Sequence, residues 1–167
     1  KNGVKLIKRQ VIKMKKVFFI SILIVIIIPS SLFAKERVSL GFLYGSSDSI
    51  ELVKRTTGGI NEVAPMYLNL TKNGNLSISN LDEEFISEMK KMNIKVTPFL
   101  SNHWSRSKGR AALKNREKLT LQLVECIIKY DLDGINVDIE NLTQKDRENF
   151  SEFVKLLKER MPKGKSL

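Results

Sequence analysis

The sequence has few of the residues that build disulfide frameworks or metal sites. Its 167 residues include one cysteine, Cys126, and one histidine. A disulfide framework within the chain is therefore excluded. Neither a zinc-type His/Cys cluster nor a calcium loop is present, so the sequence implies no metal and no other cofactor. Cys126 lies in an apolar helical pattern, which predicts a buried thiol that packs as a small hydrophobic side chain.

Acidic residues are absent from the first 34 positions, and this local absence explains most of the net charge of +11. The segment carries seven lysines or arginines, which leaves 22 basic against 18 acidic residues in the rest of the chain. That balance is ordinary for a protein surface. The sequence has no basic stripe with interleaved aromatic side chains, so nucleic acid is not an expected partner.

The N-terminal segment has the three parts of a secretory signal peptide. Residues 14–16 begin a basic region, 17–28 form an apolar run, and 29–34 resemble a cleavage region. The run is short for a membrane span, which needs about 20 apolar residues. We therefore expect residues 14–34 to direct the protein to secretion or to the cell wall.

Two features around this signal leave alternatives open. Leu32 is a poor residue so close to a cut after Ala34, so an uncleaved signal that anchors the chain in the membrane is the alternative. The chain begins with Lys1, and Met14 precedes the basic region directly. Residues 1–13 are therefore interpreted as an upstream extension. The sequence indicates no particular oligomeric state.

Strand and helix patterns alternate along the rest of the chain. The predicted strands are 38–44, 63–70, 94–100 and 135–140. The predicted helices are 49–56, 82–92, 111–130 and a last one that opens with a capping box at 143–146 and buries Phe150, Val154, Leu157 and Met161. Asn73-Gly74 predicts a hairpin turn, and 101–110 a polar loop. The alternation predicts an α/β fold with a parallel sheet.

The fourth predicted strand alternates strictly in polarity. One face carries acid-type side chains, Asn136, Asp138 and Glu140, and the opposite face is aliphatic: Ile135, Val137 and Ile139. In a (β/α)₈ TIM barrel the polar face points into the lumen, and the last residue of a strand lies at the catalytic mouth. That residue is Glu140. A solvated acidic strand edge is the alternative.

The length of the chain bears on how much of a barrel it contains. A complete (β/α)₈ barrel takes about 250 residues, and residues 35–167 supply about half of that length. We therefore expect the first four β/α units, the N-terminal half of a barrel. A small, complete four-stranded α/β domain is the alternative.

The segment Asp133-Gly134-Ile135-Asn136-Val137-Asp138-Ile139-Glu140 resembles the signature strand of glycoside hydrolase family 18, D-G-x-D-x-D-x-E. It departs at one position, because Asn136 stands where most chitinases carry Asp. The form G-x-N-x-D-x-E is similar to the branch that includes bacterial spore peptidoglycan hydrolases and N-acetylglucosaminidases. The stretches 101–110 and 130–133 are similar to that branch as well.

The resemblance implies a glycosidase that cleaves β-1,4 linkages of N-acetylglucosamine polymers, either peptidoglycan or chitin. Family 18 is a substrate-assisted exception to the two-carboxylate scheme. The 2-acetamido carbonyl of the sugar is the nucleophile, and Glu140 would be the general acid. Asp138 lies about 6.6–7 Å away along the strand, on the same face. Its negative charge would help to keep Glu140 protonated.

Asn136 and Asp133 are given supporting roles. Asn136 would lie deeper in the lumen and form a hydrogen bond with Asp138. An Asp there could exchange a proton with its neighbour, and Asn cannot, so the proton cycling of the family is in question. Asp133, with Gly134, is interpreted as a residue that positions the start of the strand.

Four residues are candidates for contact with the sugar. Asn102, His103 and Trp104 follow the third predicted strand, on the side where barrel enzymes bind substrate. Trp104 could stack on a sugar ring and Asn102 could form a hydrogen bond to it. Tyr44, at the end of the first strand, is a weaker candidate. Packing of the loop against the next helix is the competing interpretation.

Two other function classes compete with the enzyme. One is a non-catalytic fragment of the same fold that binds chitin or peptidoglycan. Family members that lose the glutamate become lectins, and this sequence keeps Glu140. The other is a signal-anchored interaction module unrelated to sugars, against which the acidic strand argues.

Overall fold

Strands and helices alternate along residues 37–45, 48–56 and 58–167, which the computed structural model describes. The predicted extension 1–13 and signal peptide 14–34 lie outside these residues. In chain order the elements are β1 (Leu40–Leu43), α1 (Ser49–Arg55), β2 (Glu62–Pro65), β3 (Leu68–Leu70), β4 (Leu76–Ile78), α2 (Glu83–Lys91), β5 (Lys95–Val96), β6 (Phe99–Ser101), α3 (Arg106–Lys114), α4 (Arg116–Lys129), β7 (Asn136–Asp138), a 3₁₀ turn (Gln144–Asp146) and α5 (Arg147–Arg160). Within the described ranges, no helix is both long and apolar enough to cross a membrane.

Within each of two sheets, the parallel strands follow one another in chain order. β1, β2 and β5 form one parallel set, and β3, β6 and β7 form another, with β4 antiparallel to β3. Gly134, two residues before β7, forms a parallel bridge with Ser166 near the end of the chain. Sequential parallel strands joined by helices confirm the predicted α/β class.

Two predicted strands are interrupted. The strand predicted at 63–70 is divided into β2 and β3 at Met66 and Tyr67, and the one predicted at 94–100 is divided into β5 and β6 at Thr97 and Pro98. Proline has no N–H to donate to the ladder. Its carbonyl still accepts the Asn136 N–H at 3.0 Å, so the interruption does not separate the strand from β7.

The predicted hairpin is confirmed, and the predicted helix 111–130 is helical but is not a single helix. β3 and β4 pair around Gly74, which has a φ of +71°. The helical region consists of two helices, α3 and α4, which meet at Asn115. The second half of the predicted polar loop, residues 106–110, belongs to α3. The Ser105 hydroxyl caps this helix by accepting the Lys108 N–H.

The core lies between the helices and one face of the sheet. Ile135 and Ile139, on the aliphatic face of the fourth strand, are 1% and 9% exposed, and Val137 is half-buried against the same cluster. All four residues of the predicted stripe contact the core: Leu157 is fully buried, and Phe150, Val154 and Met161 are half-buried against it. The prediction missed Phe153 of α5, which is also fully buried.

Cys126 lies inside α4 and is 4% exposed, as predicted. Burial raises the pKa of its thiol to about 11. The thiol is therefore protonated at neutral pH and packs as an apolar group.

A capping box opens the 3₁₀ turn before α5, as predicted. The Thr143 N–H donates to Asp146 Oδ2 at 2.8 Å, and the Thr143 side chain accepts the Asp146 backbone N–H in return. Arg110 of α3 donates to both oxygens of Asp146, at 2.8 and 3.1 Å. Hydrogen bonds from Arg110 and then from Thr143 hold the pKa of Asp146 far below its usual range. This carboxylate thus joins α3 to the segment that follows Glu140.

Asp146→Asn should make folding less stable at neutral pH, and by progressively less as the pH falls below about 4. Because the folded pKa is lowered, the contribution of Asp146 is present above its unfolded pKa of about 4 and is lost as the pH falls. Thermal unfolding of parent and variant should differ at about pH 7, and the difference should narrow toward about pH 3. Asp131→Asn, at a side chain that is 73% exposed between two lysines, is the control with the smaller effect. A difference independent of pH would contradict the assignment.

Candidate active site

A row of polar residues crosses three strands near their carboxyl ends. Asn69 of β3 pairs with Ser101 of β6, and Ser101 pairs with Asp138 of β7. Residues paired in a parallel ladder lie on the same face of the sheet. Asp138 is half-buried there. The acid-type face of the fourth strand is thus continuous with polar residues of its neighbours, and two of these, Asn69 and Ser101, were not predicted.

Glu140 lies two residues beyond the end of β7 and is half-buried. Its backbone is held by the side chain of Asn102: the Glu140 N–H donates to Asn102 Oδ1 at 3.0 Å, and Asn102 Nδ2 donates to the Glu140 carbonyl at 2.8 Å. Neither bond uses the carboxylate. The backbone of Glu140 is therefore fixed while its acid group remains available for a ligand.

Asn102 does not have the role predicted for it. The residue is 0% exposed, and its Nδ2 also donates to the Ser105 carbonyl at 3.0 Å. Both amide hydrogens and the amide oxygen are thus used within the protein. A sugar cannot reach this amide, so the predicted hydrogen bond from Asn102 to substrate is wrong.

Asn136 does not form the predicted hydrogen bond with Asp138. Its Nδ2 donates to the Thr97 carbonyl at 2.8 Å and to Thr97 Oγ1 at 3.0 Å. An ionised Asp138 can only accept hydrogen bonds, and both donors of Asn136 are used at Thr97. The Thr97 hydroxyl in turn donates to Glu62 of β2. Neither Thr97 nor Glu62 was predicted as part of the site. The period-two alternation of Thr97 with Phe99 and Ser101 was the available signal for Thr97.

His103 and Trp104 lie at the carboxyl edge, directly after Asn102. Both have positive φ, +48° and +60°, which non-glycine residues adopt at a cost. His103 Nε2 lies 2.6 Å from Asn69 Oδ1, and Asn69 Nδ2 donates to Ser79 Oγ. With Oδ1 as the acceptor, Nε2 carries the proton. Trp104 is 63% exposed, so it does not pack into the loop.

Tyr44 follows β1 at the same edge of the sheet and is 70% exposed. Its ring centroid lies 5.4 Å from that of Phe99, and Phe42 contacts the same ring edge-on at 5.5 Å. Phe99 pairs with Asn136, which puts the aromatic group beside the acidic face. Tyr44 is thus placed where a ligand at that face would meet it.

Asp133 has the structural role predicted for it. Its Oδ2 accepts the Val96 N–H at 2.8 Å, and its own N–H donates to the Val96 carbonyl at 2.9 Å. The carboxylate thus holds the residues that precede β7 beside β5 through a hydrogen bond to the backbone.

The segment after Glu140 is held by α3. Arg106 donates to the Asn141 carbonyl at 2.7 Å and to Asn141 Oδ1 at 2.8 Å. Asn141 Nδ2 donates to the Trp104 carbonyl at 2.9 Å. The loop that carries Trp104 and the loop that follows Glu140 are thereby joined.

A cavity of about 510 Å³ opens beside the end of β1, lined in part by Tyr44, Tyr67 and Asp82. Burial, and then the charge of Asp82, raises the pKa of Tyr67 to about 12. Neither Asp138 nor Glu140 lines this cavity. Within the described part of the chain, no group of three or more His, Cys, Asp or Glu side chains could hold a metal ion.

The parallel sheet and the two carboxylates at its carboxyl edge are the arrangement of a barrel-type glycosidase. The profile described as Glycosyl hydrolases family 18 matches residues 41–166. The chain belongs to this family, as its acidic strand predicted. A comparison with curated proteins finds no match.

Solved structures with the same TIM-barrel-like fold include chitinases and a spore enzyme. A chitinase from Chromobacterium violaceum is 25% identical, with a TM-score of 0.67, and the match covers 75% of this chain and 42% of that one. The Bacillus cereus spore cortex-lytic enzyme SleL is 18% identical, with a TM-score of 0.69 and coverage of 78% and 33%. A chitinase from Bacteroides thetaiotaomicron is 20% identical, with a TM-score of 0.67, and the match covers 78% of this chain and 45% of that one. The chain therefore spans less than half the length of these proteins.

Proposed function

We propose that this chain is part of a secreted glycoside hydrolase that cleaves β-1,4 linkages in N-acetylglucosamine polymers, peptidoglycan or chitin. The main support is the acidic face of the fourth strand. Asp138 and Glu140 lie two residues apart at the carboxyl edge of a parallel sheet, and the Glu140 backbone is fixed by hydrogen bonds that leave its carboxylate unused. Membership of family 18 supports the glycosidase class.

In the proposed reaction Glu140 protonates the glycosidic oxygen as the bond breaks. The acetamido carbonyl of the same sugar attacks the anomeric carbon from the opposite face and gives an oxazolinium ion. Asp138 accepts the acetamido N–H and stabilises the positive charge. Glu140 then takes a proton from water as the water opens the ring. Two inversions at the anomeric carbon give net retention.

The aromatic residues at the carboxyl edge are assigned to sugar binding. Trp104 and Tyr44 are exposed, and each offers a ring face on which a pyranose could stack. His103 is fixed by Asn69 with its proton on Nε2. Its remaining ring nitrogen, Nδ1, is then an acceptor for a sugar hydroxyl.

We further propose that residues 35–167 are the N-terminal half of a (β/α)₈ barrel, with about four β/α units, and that residues 14–34 are the export signal. The chain covers 42% of the Chromobacterium violaceum chitinase. The alternative function is a non-catalytic chain of the same fold that binds the polymer without turnover.

The test incubates the protein with purified peptidoglycan, chito-oligosaccharides and cellulose and identifies soluble products by mass spectrometry. Products should appear from the first or second substrate and not from cellulose, whose glucose units lack the acetamido nucleophile. A thiazoline analogue of the oxazolinium ion should inhibit. Binding without products would support the alternative. Equal cleavage of cellulose, or neither binding nor products, would contradict the proposal.

A further inference from the structure

The backbone at Glu140 is held by a side chain rather than by a strand. The ladder between β6 and β7 ends with the pair Ser101 and Asp138. Glu140 lies beyond it, where a neighbouring strand would normally hold the backbone by one donor and one acceptor. The Asn102 amide supplies both, since Oδ1 accepts the Glu140 N–H and Nδ2 donates to the Glu140 carbonyl. This amide extends the ladder by one step in place of a peptide group.

The turn after Asn102 explains why a side chain takes this place. The backbone leaves the sheet at His103 and Trp104, which have positive φ, and the Ser105 N–H closes the turn on the Asn102 carbonyl at 3.0 Å. The main chain of this loop is therefore unable to continue alongside Glu140. The same turn brings the Ser105 carbonyl to the second hydrogen of Asn102 Nδ2, at 3.0 Å.

The Asn102 amide has one defined orientation. Both Nδ2 hydrogens and Oδ1 have backbone partners, so a flipped amide would place donors and acceptors against their like. Gly109 of α3 packs against it: a Cβ there would lie 3.2 Å from Asn102 Nδ2 and 3.0 Å from Ile139 Cγ2. Because Asn102 is also 0% exposed, water does not compete for these bonds.

We infer that Asn102 is a positioning residue, which sets the direction of the Glu140 carboxyl group by fixing the Glu140 peptide units on both sides. The inference rests on the proposed catalytic role of Glu140. Its consequence is that Asn102 affects the chemical step more than sugar binding, although it touches no substrate.

The test compares Asn102→Leu with the matched control Asn115→Leu. Asn115 also bridges two segments through its amide, to the Gly74 carbonyl and to Asn75 Oδ1 at 3.2 and 3.1 Å, but its contacts are with the hairpin. Loss of precise placement can cost about 100-fold in rate. Asn102→Leu should therefore lower kcat by about 10- to 100-fold with little change in KM. Asn115→Leu should lower the melting temperature and leave kcat unchanged.

Hydrogen exchange at the Glu140 amide provides a readout that does not depend on activity. In Asn102→Leu this amide should exchange about 2- to 10-fold faster, the equivalent of one hydrogen bond. Asn102→Asp keeps the acceptor and loses both donors, so it should retain amide protection but lose kcat. If the Leu variant does not fold, Asn102→Asp replaces it in both measurements.

Failure of the inference and failure of the proposed function give different results. Unchanged kcat in the folded Asn102 variants, or equal kcat losses at positions 102 and 115, would overturn the inference, as would unchanged Glu140 exchange in Asn102→Leu. If the parent protein turns over no polymer, the proposed function fails, and the exchange measurement still decides whether Asn102 holds Glu140.

Discussion

Replacing Glu140 with Gln should lower kcat of the catalytically active protein by about 10²- to 10⁴-fold, the usual contribution of general acid–base catalysis. Gln has nearly the shape of Glu and keeps a hydrogen-bonding group in place, but it has no proton of suitable acidity to give to the glycosidic oxygen. The two bonds from Asn102 go to the Glu140 backbone, so the substitution should leave them intact. Binding of the polymer should therefore survive. The measurement is product release from peptidoglycan or chito-oligosaccharides, together with a binding isotherm.

Glu159→Gln is the matched control, because this exposed glutamate of α5 lies in a different part of the fold. It should change neither turnover nor binding. Turnover within a few fold of the parent in Glu140→Gln would exclude Glu140 as the proton donor. Loss of binding and turnover together, with a lowered melting temperature, would show instead that the substitution disturbs the fold.

The sequence was most informative where a pattern is local and unusual. The octamer 133–140 alternates aliphatic and acid-type residues, and the structure buries Ile135 and Ile139 as that alternation requires. The same holds for the Asn73-Gly74 hairpin and for the capping box at Thr143, whose geometry is specified by residues a few positions apart.

Contacts that depend on the register between strands could not be predicted from such local patterns. The partner of Asn136 is Thr97, 39 residues earlier, and the partner of Asn102 is Glu140, 38 residues later. Both asparagines looked free to act on neighbours or substrate, because an amide in a sequence carries no sign of its partner. Gly109 similarly suggested a loop, whereas inside α3 it allows close approach to Ile139.

The contact between Asn136 and Thr97 bears on how charge is distributed at the site. With its two donors on Thr97, Asn136 offers Asp138 only its amide oxygen. Asp138 can therefore bind Asn136 only when protonated, and its ionised form has to find its donor elsewhere. The acetamido N–H of the substrate is such a donor. This leaves Asp138 as the carboxylate on which stabilisation of the oxazolinium ion depends in the proposed reaction.

Asp138→Asn should accordingly lower kcat by about 10²-fold, the effect of removing one group that stabilises charge in the transition state. The measurement is kcat on a chito-oligosaccharide, with inhibition by the thiazoline analogue as a second readout. Inhibition should weaken, because Asn lacks the negative charge that would stabilise the protonated form of the analogue.

Asp133→Asn is the control within the same segment, since its carboxylate is bound to the Val96 N–H and takes no part in the proposed chemistry. It should lower the melting temperature and leave kcat and inhibition by the thiazoline analogue unchanged. A kcat near that of the parent in Asp138→Asn, with unchanged inhibition, would remove Asp138 from the mechanism. An equal loss of kcat in Asp133→Asn would mean that kcat reports the stability of β7 rather than the charge of Asp138.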